Sequence, residues 1–166
     1  MKVIFGNSQP CSSFQLSPEL LKALWPLSES VGSRRNETIV RQGAECRGIY
    51  MIQNGLARIS ILADDGGESF KRLLGPDCVI GLPSALCSTP YNFSAHCETD
   101  CTLGFVPASA LIEFIRTQPI LGIEVVRLMG RELSEMNQHR ASFQNCRACG
   151  CSFADICAHE FGNSRS

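Results

Sequence analysis

Cys146, Cys149, Cys151, Cys157 and His159 crowd the end of the chain in the pattern C-x2-C-x-C-x5-C-x-H. Thiolate and imidazole are the ligands that zinc and iron–sulfur clusters take, and C-x2-C is a recurrent zinc half-site. A second half-site of regular spacing is missing. The group therefore reads three ways: as metal or cluster ligands, as a reactive dithiol, or as a cysteine-rich segment without chemistry of its own. A second stretch with chemical potential is Gly75–Ala95, GPDCVIGLPSALCSTPYNFSA. A glycine turn and an apolar pair lead to Gly81, then to a short helix-like piece and a small-hydroxyl residue, Ser94. Glycine, helix start and hydroxyl held among strands are the parts from which phosphate cradles are made. Catalytic patterns are missing. There is no Ser-His-Asp set, Walker loop or paired-carboxylate signature, so an enzyme is not expected. Asp64, Asp65 and Asp77 fall at turns, where Asp bonds its own backbone.

The chain has 166 residues, 44% hydrophobic and 19% charged, with a net charge of -1. That length suits one domain or one domain plus an extension, and no global basic field draws in nucleic acid. The N-terminus has no run of signal-peptide character, and no apolar stretch approaches a membrane span. A cytoplasmic protein with reduced thiols is expected. Cys46, Cys78, Cys87, Cys97 and Cys101 lie in or beside predicted strands and read as core or turn residues. The isolated His96 and His139 read as structural or surface histidines.

The elements follow from patterning. Residues 1–15 read as a loose arm. Ser17-Pro18-Glu19 reads as a helix start, with Ser17 as N-cap and Pro18 at the first helical position. Leu20, Leu21, Leu24 and Trp25 share one face, and Pro26 ends the helix. From Glu37 short strands alternate with glycine turns: Thr38–Val40, Gly48–Ile52, Ala57–Leu62, Ser69–Leu74, His96–Glu98 and Cys101–Val106. Asn54-Gly55 is a strong hairpin signal. This is the pattern of an antiparallel sandwich or barrel. After Pro107 the period becomes helical. A short helix covers Ala108–Arg116 and a long one runs from Pro119 to about Phe143. Val126, Met129, Leu133, Met136 and Phe143 form a heptad-like stripe, with Gly122 before it and Arg140 in the remaining slot. The stripe fits packing on the chain's own barrel or a dimer seam, and the seam is preferred because the helix is long and flanked by charges.

This ordered set resembles the sensor half of the Crp/Fnr family of bacterial transcription regulators. The residues that carry the resemblance are Leu16–Leu21, Ile39–Glu45, Gly48–Arg58, Gly75–Gly81 and Thr99–Leu103, within a span of about 16–143. The resemblance implies a mainly β fold with helices. An antiparallel double-stranded β-helix, a β-roll or jelly roll, would be flanked by an N-terminal helix and a long C-terminal dimerisation helix. The domains expected are an arm over 1–15, the cyclic-nucleotide-binding-like roll over 16–118, the dimerisation helix over 119–143 and a Cys-rich tail over 144–166. A homodimer, or a heterodimer with a full-length relative, is implied.

Two departures bear on function. Family members that bind cyclic AMP or cyclic GMP carry Glu after the glycine, for the ribose hydroxyl. They carry Arg before the Ser/Thr-Ala pair, for the phosphate. Here Leu82 follows Gly81 and Phe93 precedes Ser94-Ala95. The inherited pocket, Gly81, Leu82, Pro83, Ser84, Phe93, Ser94 and Ala95, is therefore not expected to hold a cyclic nucleotide in the family's manner, and its small-molecule ligand is open. The residues after Phe143 hold no helix-turn-helix pattern, so direct DNA binding by this chain is not expected. The chain reads as a truncated regulator or one that evolved without its reader. The alternatives are a metal or redox sensor using the tail and a dimerisation partner of a full-length regulator. No cofactor is expected beyond zinc or a cluster in the tail. The iron–sulfur ligands of some Fnr-type proteins lie mainly before the roll, where only Cys11 stands, so that ligand set does not carry over.

Overall fold

The structure is a computed structural model that describes residues 14–62 and 68–149, with side chains over 14–62 and 72–134. Two compact units are defined, one ending at Met129 and one beginning at Gly130. The described part of the second is the continuation of a single helix.

The first helix, α1 (Pro18–Leu24), begins as its sequence dictates. The Ser17 hydroxyl accepts from the Leu20 N–H at 3.2 Å, and Pro18 occupies the first turn, where no N–H partner is needed. Leu20 and Leu24 bury its inner face. Pro26 tightens the chain into a 3-10 turn over Trp25–Leu27. Eight strands follow in the described residues: β1 (Glu29–Ser33), β2 (Thr38–Val40), β3 (Gly48–Asn54), β4 (Ala57–Leu62), β5 (Glu68–Leu74), β6 (Val79–Ile80), β7 (Ser94–Cys97) and β8 (Cys101–Pro107). Helix α2 (Leu82–Cys87) lies between β6 and β7, and α3 (Ala108–Thr117) and α4 (Pro119–Cys149) close the order.

The strands form two four-stranded antiparallel sheets, β1-β8-β3-β6 and β2-β7-β4-β5. They enclose an apolar interior built from Val40, Ile52, Ile59, Leu74, Ile80, Phe93, Leu103 and their neighbours. A second core lies on the other side of the first sheet. There Ile49, Met51, Val79 and Val106 meet Leu20 and Leu24 of α1, Leu111 and Phe114 of α3, and Val125 and Leu128 of α4. The first sheet is thus covered on both faces, which is why β3 reads Gly-Ile-Tyr-Met-Ile rather than alternating. Each fully buried Ile or Leu contributes about 1.5–3 kcal/mol. This is the jelly-roll architecture that the resemblance implies.

Three features were not foreseen. Strand β1 pairs with β8 from Glu29↔Phe105 to Ser33↔Cys101 although its sequence, ESVGS, has no apolar alternation. Helix α4 runs to Cys149 rather than to about Phe143. Phe14 is buried in the roll interior, and Gln15 bridges Cys78, so the arm's last two residues are structural. Within the first unit, the Ser17 hydroxyl also donates to the Glu124 carboxylate at 2.5 Å, tying the α1 cap to the first turns of α4.

Candidate ligand pocket

The stretch singled out as a candidate pocket starts from β6. Val79 and Ile80 pair with Met51 and Tyr50 of β3, and the chain then turns at Gly81. That residue has φ +88°, and a Cβ there would meet the Tyr91 ring at 2.8 Å. Glycine is required on both counts. It caps α2, whose first turn carries Pro83 and buries Leu82 and Ser84.

The loop back to β7 is held by Tyr91. Its carbonyl accepts from Gly43 N–H at 2.7 Å, and its N–H donates to Ala44 O at 3.0 Å. Its phenol donates to Gly48 O at 2.8 Å. Burial first, and then the neighbouring Cys46, pushes the Tyr91 phenol well above the ordinary tyrosine range, so it stays a donor. Replacing Tyr91 with Phe removes one buried bond and is expected to cost about 1 kcal/mol. Urea denaturation reads this directly, and an unchanged midpoint would mean that the phenol contributes nothing to closing the loop.

The residues singled out by sequence do not share one environment. Phe93, 4% exposed, and Ala95 lie in the roll interior. Leu82, 3% exposed, instead joins the core beneath the helices. Ser84 is buried, and its hydroxyl donates to Pro90 O at 3.2 Å. The Ser94 hydroxyl accepts from Gln42 N–H at 3.0 Å, while the Gln42 side chain bonds Leu62 N–H and carbonyl. Both serines therefore serve the loop's own structure. Sequence reasoning missed Tyr91 as the anchor. Its signal is a large aromatic beside a proline in a loop that must close over a glycine.

Cys78, Cys97 and Cys101 are buried, Cys46 is half-buried and Cys87 is exposed, all as free thiols. Burial, then the adjoining Cys97, pushes the Cys101 thiol up to about 11, so it is protonated and inert at neutral pH. The His96 Nδ1 lies 3.1 Å from the Thr38 hydroxyl. Among the described residues no group of three or more His, Cys, Asp or Glu side chains could hold a metal. No described helix is long and apolar enough to cross a membrane. Cys151, Cys157 and His159, and the side chains of Cys146 and Cys149, lie outside the described residues.

On the helix of the proposed seam, Val126 is 70% exposed and Leu133 is 59% exposed. Ile120 and Ile123 on the first turns are exposed as well, at 79% and 55%. Met129 is half-buried and packs on the second core. The side chains of Met136 and Phe143 lie outside the described residues.

Two antiparallel sheets closed into a roll, a glycine-started short helix between β6 and β7, and a long helix after the last strand define a sensor domain of the CRP/FNR type. Residues 32–118 match the cyclic nucleotide-binding domain model, and the chain belongs to that family. It is 25% identical over 126 residues to the CRP-like cAMP-activated global transcriptional regulator of Mycobacterium tuberculosis, covering 76% of this chain and 56% of that protein. The chain therefore spans about half the length of the curated relatives it matches. The crystal structure of the Thermus thermophilus catabolite activator protein superposes with a TM-score of 0.69 at 22% identity, over 78% of this chain and 61% of that one. The sensor domain of the Pseudomonas aeruginosa transcriptional regulator DNR gives 0.60 at 19% identity, over 74% and 83%. The c-di-GMP responsive regulator CLP of Xanthomonas campestris gives 0.67 at 15% identity, over 80% and 65%. At such identities the structures speak for the fold. The relatives matched are regulators rather than enzymes.

Proposed function

We propose that this chain is a dimeric sensor module of a CRP/FNR-type transcription regulator whose roll does not take cyclic AMP or cyclic GMP in the family's manner. The observation that carries this is Phe93. It stands where nucleotide-binding members place their phosphate arginine, and it is buried among Val40, Ile52 and Leu103 as part of the roll's own core. A cyclic phosphate seated there would be a desolvated charge beside a phenyl ring, without the partner that burial demands. Leu82, on the helical side, offers no carboxylate for a ribose. The relative named as cAMP-activated shares the fold and a quarter of the aligned residues, and its ligand does not follow from that likeness.

The signal leaves through α4 in this reading. One face of its first turns packs on the domain through Val125 and Leu128. The other presents Ile120, Ile123 and Val126, continued by Leu133. Apolar side chains exposed at helical spacing need a cover, and a second copy, or the same helix of a longer relative, supplies one. A ligand that favours one packing of the roll would shift the pair between two arrangements.

Isothermal titration with cyclic AMP and cyclic GMP tests the ligand reading. No heat is expected at micromolar concentrations, and micromolar binding of either nucleotide overturns it.

A further inference from the structure

The Asn54-Gly55 pair plays no part in the sensor reading, and its geometry suits a different chemistry. Asn54 ends β3 at an irregular point, where the β3–β8 register shifts between Ile52 and Asn54, and it is exposed to water. The Gly55 N–H donates to the Asn54 side-chain carbonyl, Oδ1, at 2.8 Å. A C=O bond is about 1.2 Å long, so the side-chain carbon Cγ lies within ~4 Å of that nitrogen. Gly55 carries no side chain to shield the nitrogen, and its φ of +96° is one that glycine adopts freely. Leu56 fixes the peptide beyond it. The Leu56 N–H donates to Thr99 Oγ1 at 2.9 Å, and its carbonyl accepts from the Glu98 N–H at 2.8 Å.

A backbone nitrogen held against a side-chain amide carbon is a nucleophile beside its electrophile, and such ordering supplies the proximity that ring closure needs. Hydroxide removes the Gly55 N–H proton, and the freed electron pair forms a bond from nitrogen to Asn54 Cγ. The Cγ–Nδ2 bond breaks, and the leaving nitrogen takes a proton from water and departs as ammonia. Water then opens the succinimide at either carbonyl. Opening at Cγ leaves aspartate. Opening at the main-chain carbonyl leaves isoaspartate, whose main chain runs through Cβ and Cγ and is one carbon longer. Nothing is oxidised or reduced, and water is the co-reactant. The passage from β3 to β4 has little slack for the added carbon. A Cβ on Gly55 would already meet Asp100 O at 2.4 Å and Cys101 Sγ at 2.7 Å.

We propose that Asn54 is a modification site, deamidated in the folded protein by attack of the Gly55 nitrogen, and that the isoaspartate product loosens the passage from the first sheet to the second. The inference goes beyond the sensor reading and depends on no ligand. Two other asparagines lack the arrangement and serve as internal controls. Asn36 precedes Glu37, whose N–H donates to Arg34 O at 3.0 Å, and Asn92 precedes the buried Phe93.

The test is incubation of the full chain at mildly alkaline pH, native and in urea, followed by peptide mapping that separates aspartyl from isoaspartyl peptides. The expected result in the native protein is a mass gain of about one dalton at Asn54, present as both isomers. It should arise at least about tenfold faster than at Asn36 or Asn92, and at a rate within about tenfold of that in urea. A native rate further below the rate in urea overturns the site, as does equal conversion at Asn54, Asn36 and Asn92. The isoaspartyl protein, enriched by ion exchange, should unfold on the order of 5 °C below the unmodified chain. Asn54→Asp carries the new charge without the added carbon and should unfold with the unmodified chain. Equal midpoints for the isoaspartyl protein and the unmodified chain overturn the claim that the passage loosens, and a midpoint for Asn54→Asp as low as the isoaspartyl one assigns the loss to charge and overturns it as well.

Discussion

Substituting alanine for Gly48 is expected to destabilise the protein by about 3 kcal/mol, lowering the unfolding midpoint by on the order of 10 °C. A Cβ at this position would lie 2.2 Å from Val106 O, 2.9 Å from Phe105 Cε2 and 2.9 Å from Pro107 Cα. Two of those three atoms are backbone, so no rotamer change relieves the overlap and β3 must move away from β8. The damage would reach the Gly81 turn and the Tyr91 loop as well. The Gly48 carbonyl accepts from the Tyr91 phenol and lies 3.3 Å from the position of a Cβ on Gly81. The control is Gly32→Ala on β1, where an added Cβ meets nothing within 4 Å and the change should stay within about 0.5 kcal/mol. Chemical denaturation of the three proteins decides it. A Gly48→Ala protein as stable as Gly32→Ala would mean that the two strands are not as closely apposed as described.

Leu133→Asp is expected to weaken self-association more than a hundredfold and leave the monomer folded. In a two-fold pair the substitution places a carboxylate in the seam from each side. Each then loses water without a cationic partner, and about 3 kcal/mol of lost association energy corresponds to that factor. Val126→Asp should behave in the same way. Both side chains are mostly exposed in the single chain, so neither substitution opens a core. Leu128→Asp is the contrast. Leu128 is buried in the second core, and this variant should unfold the domain rather than separate two folded copies. Light scattering across a concentration series, with circular dichroism on the same samples, reads both quantities. An unchanged dimer affinity in Leu133→Asp and Val126→Asp rules out the seam.

The legible parts of the fold were those where local pattern and burial agree. Ser17-Pro18 predicts a capped helix, and the Ser17 hydroxyl caps it. Asn54-Gly55 predicts a hairpin with Ala57–Leu62 as the partner strand. Gly55 does take φ +96° in a turn, but β3 and β4 lie in different sheets, so the turn carries the chain from one sheet to the other and the hairpin expectation is corrected. Strand β1 was not legible because its residues carry no instruction of their own. ESVGS is mostly exposed and is extended because β8 offers an open edge, so tertiary pairing overrides propensity. The long helix was legible in kind but not in detail. It has apolar residues on two faces, Val125 and Leu128 inward and Ile120, Ile123 and Val126 outward. Period alone does not say which face meets what, and the stripe takes in the buried Gly122, the exposed Val126 and the half-buried Met129. Within the candidate site, the apolar character of Leu82 and Phe93 was plain from residue types. Their separation into two cores was not, because it depends on Gly81 turning α2 toward the helical layer.

Among the described residues β1 pairs with β8 alone, and this has a consequence for synthesis. A chain emerging from the ribosome at about 5–20 residues per second exposes Ser33 several seconds before its partner Cys101 is made. During that interval β1 has no place in a sheet, and β3 lacks its longest neighbour. Sequential hairpins such as β4–β5 can form as they appear, but the first sheet can only close afterwards, and the Ser17–Glu124 tie later still. Ser17 and the strand Glu29–Ser33, made well before their partners, are thus among the last to complete their native contacts. A stall or premature stop before β8 would release a half-roll with an open, apolar edge, the kind of species that chaperones capture and that aggregates without them.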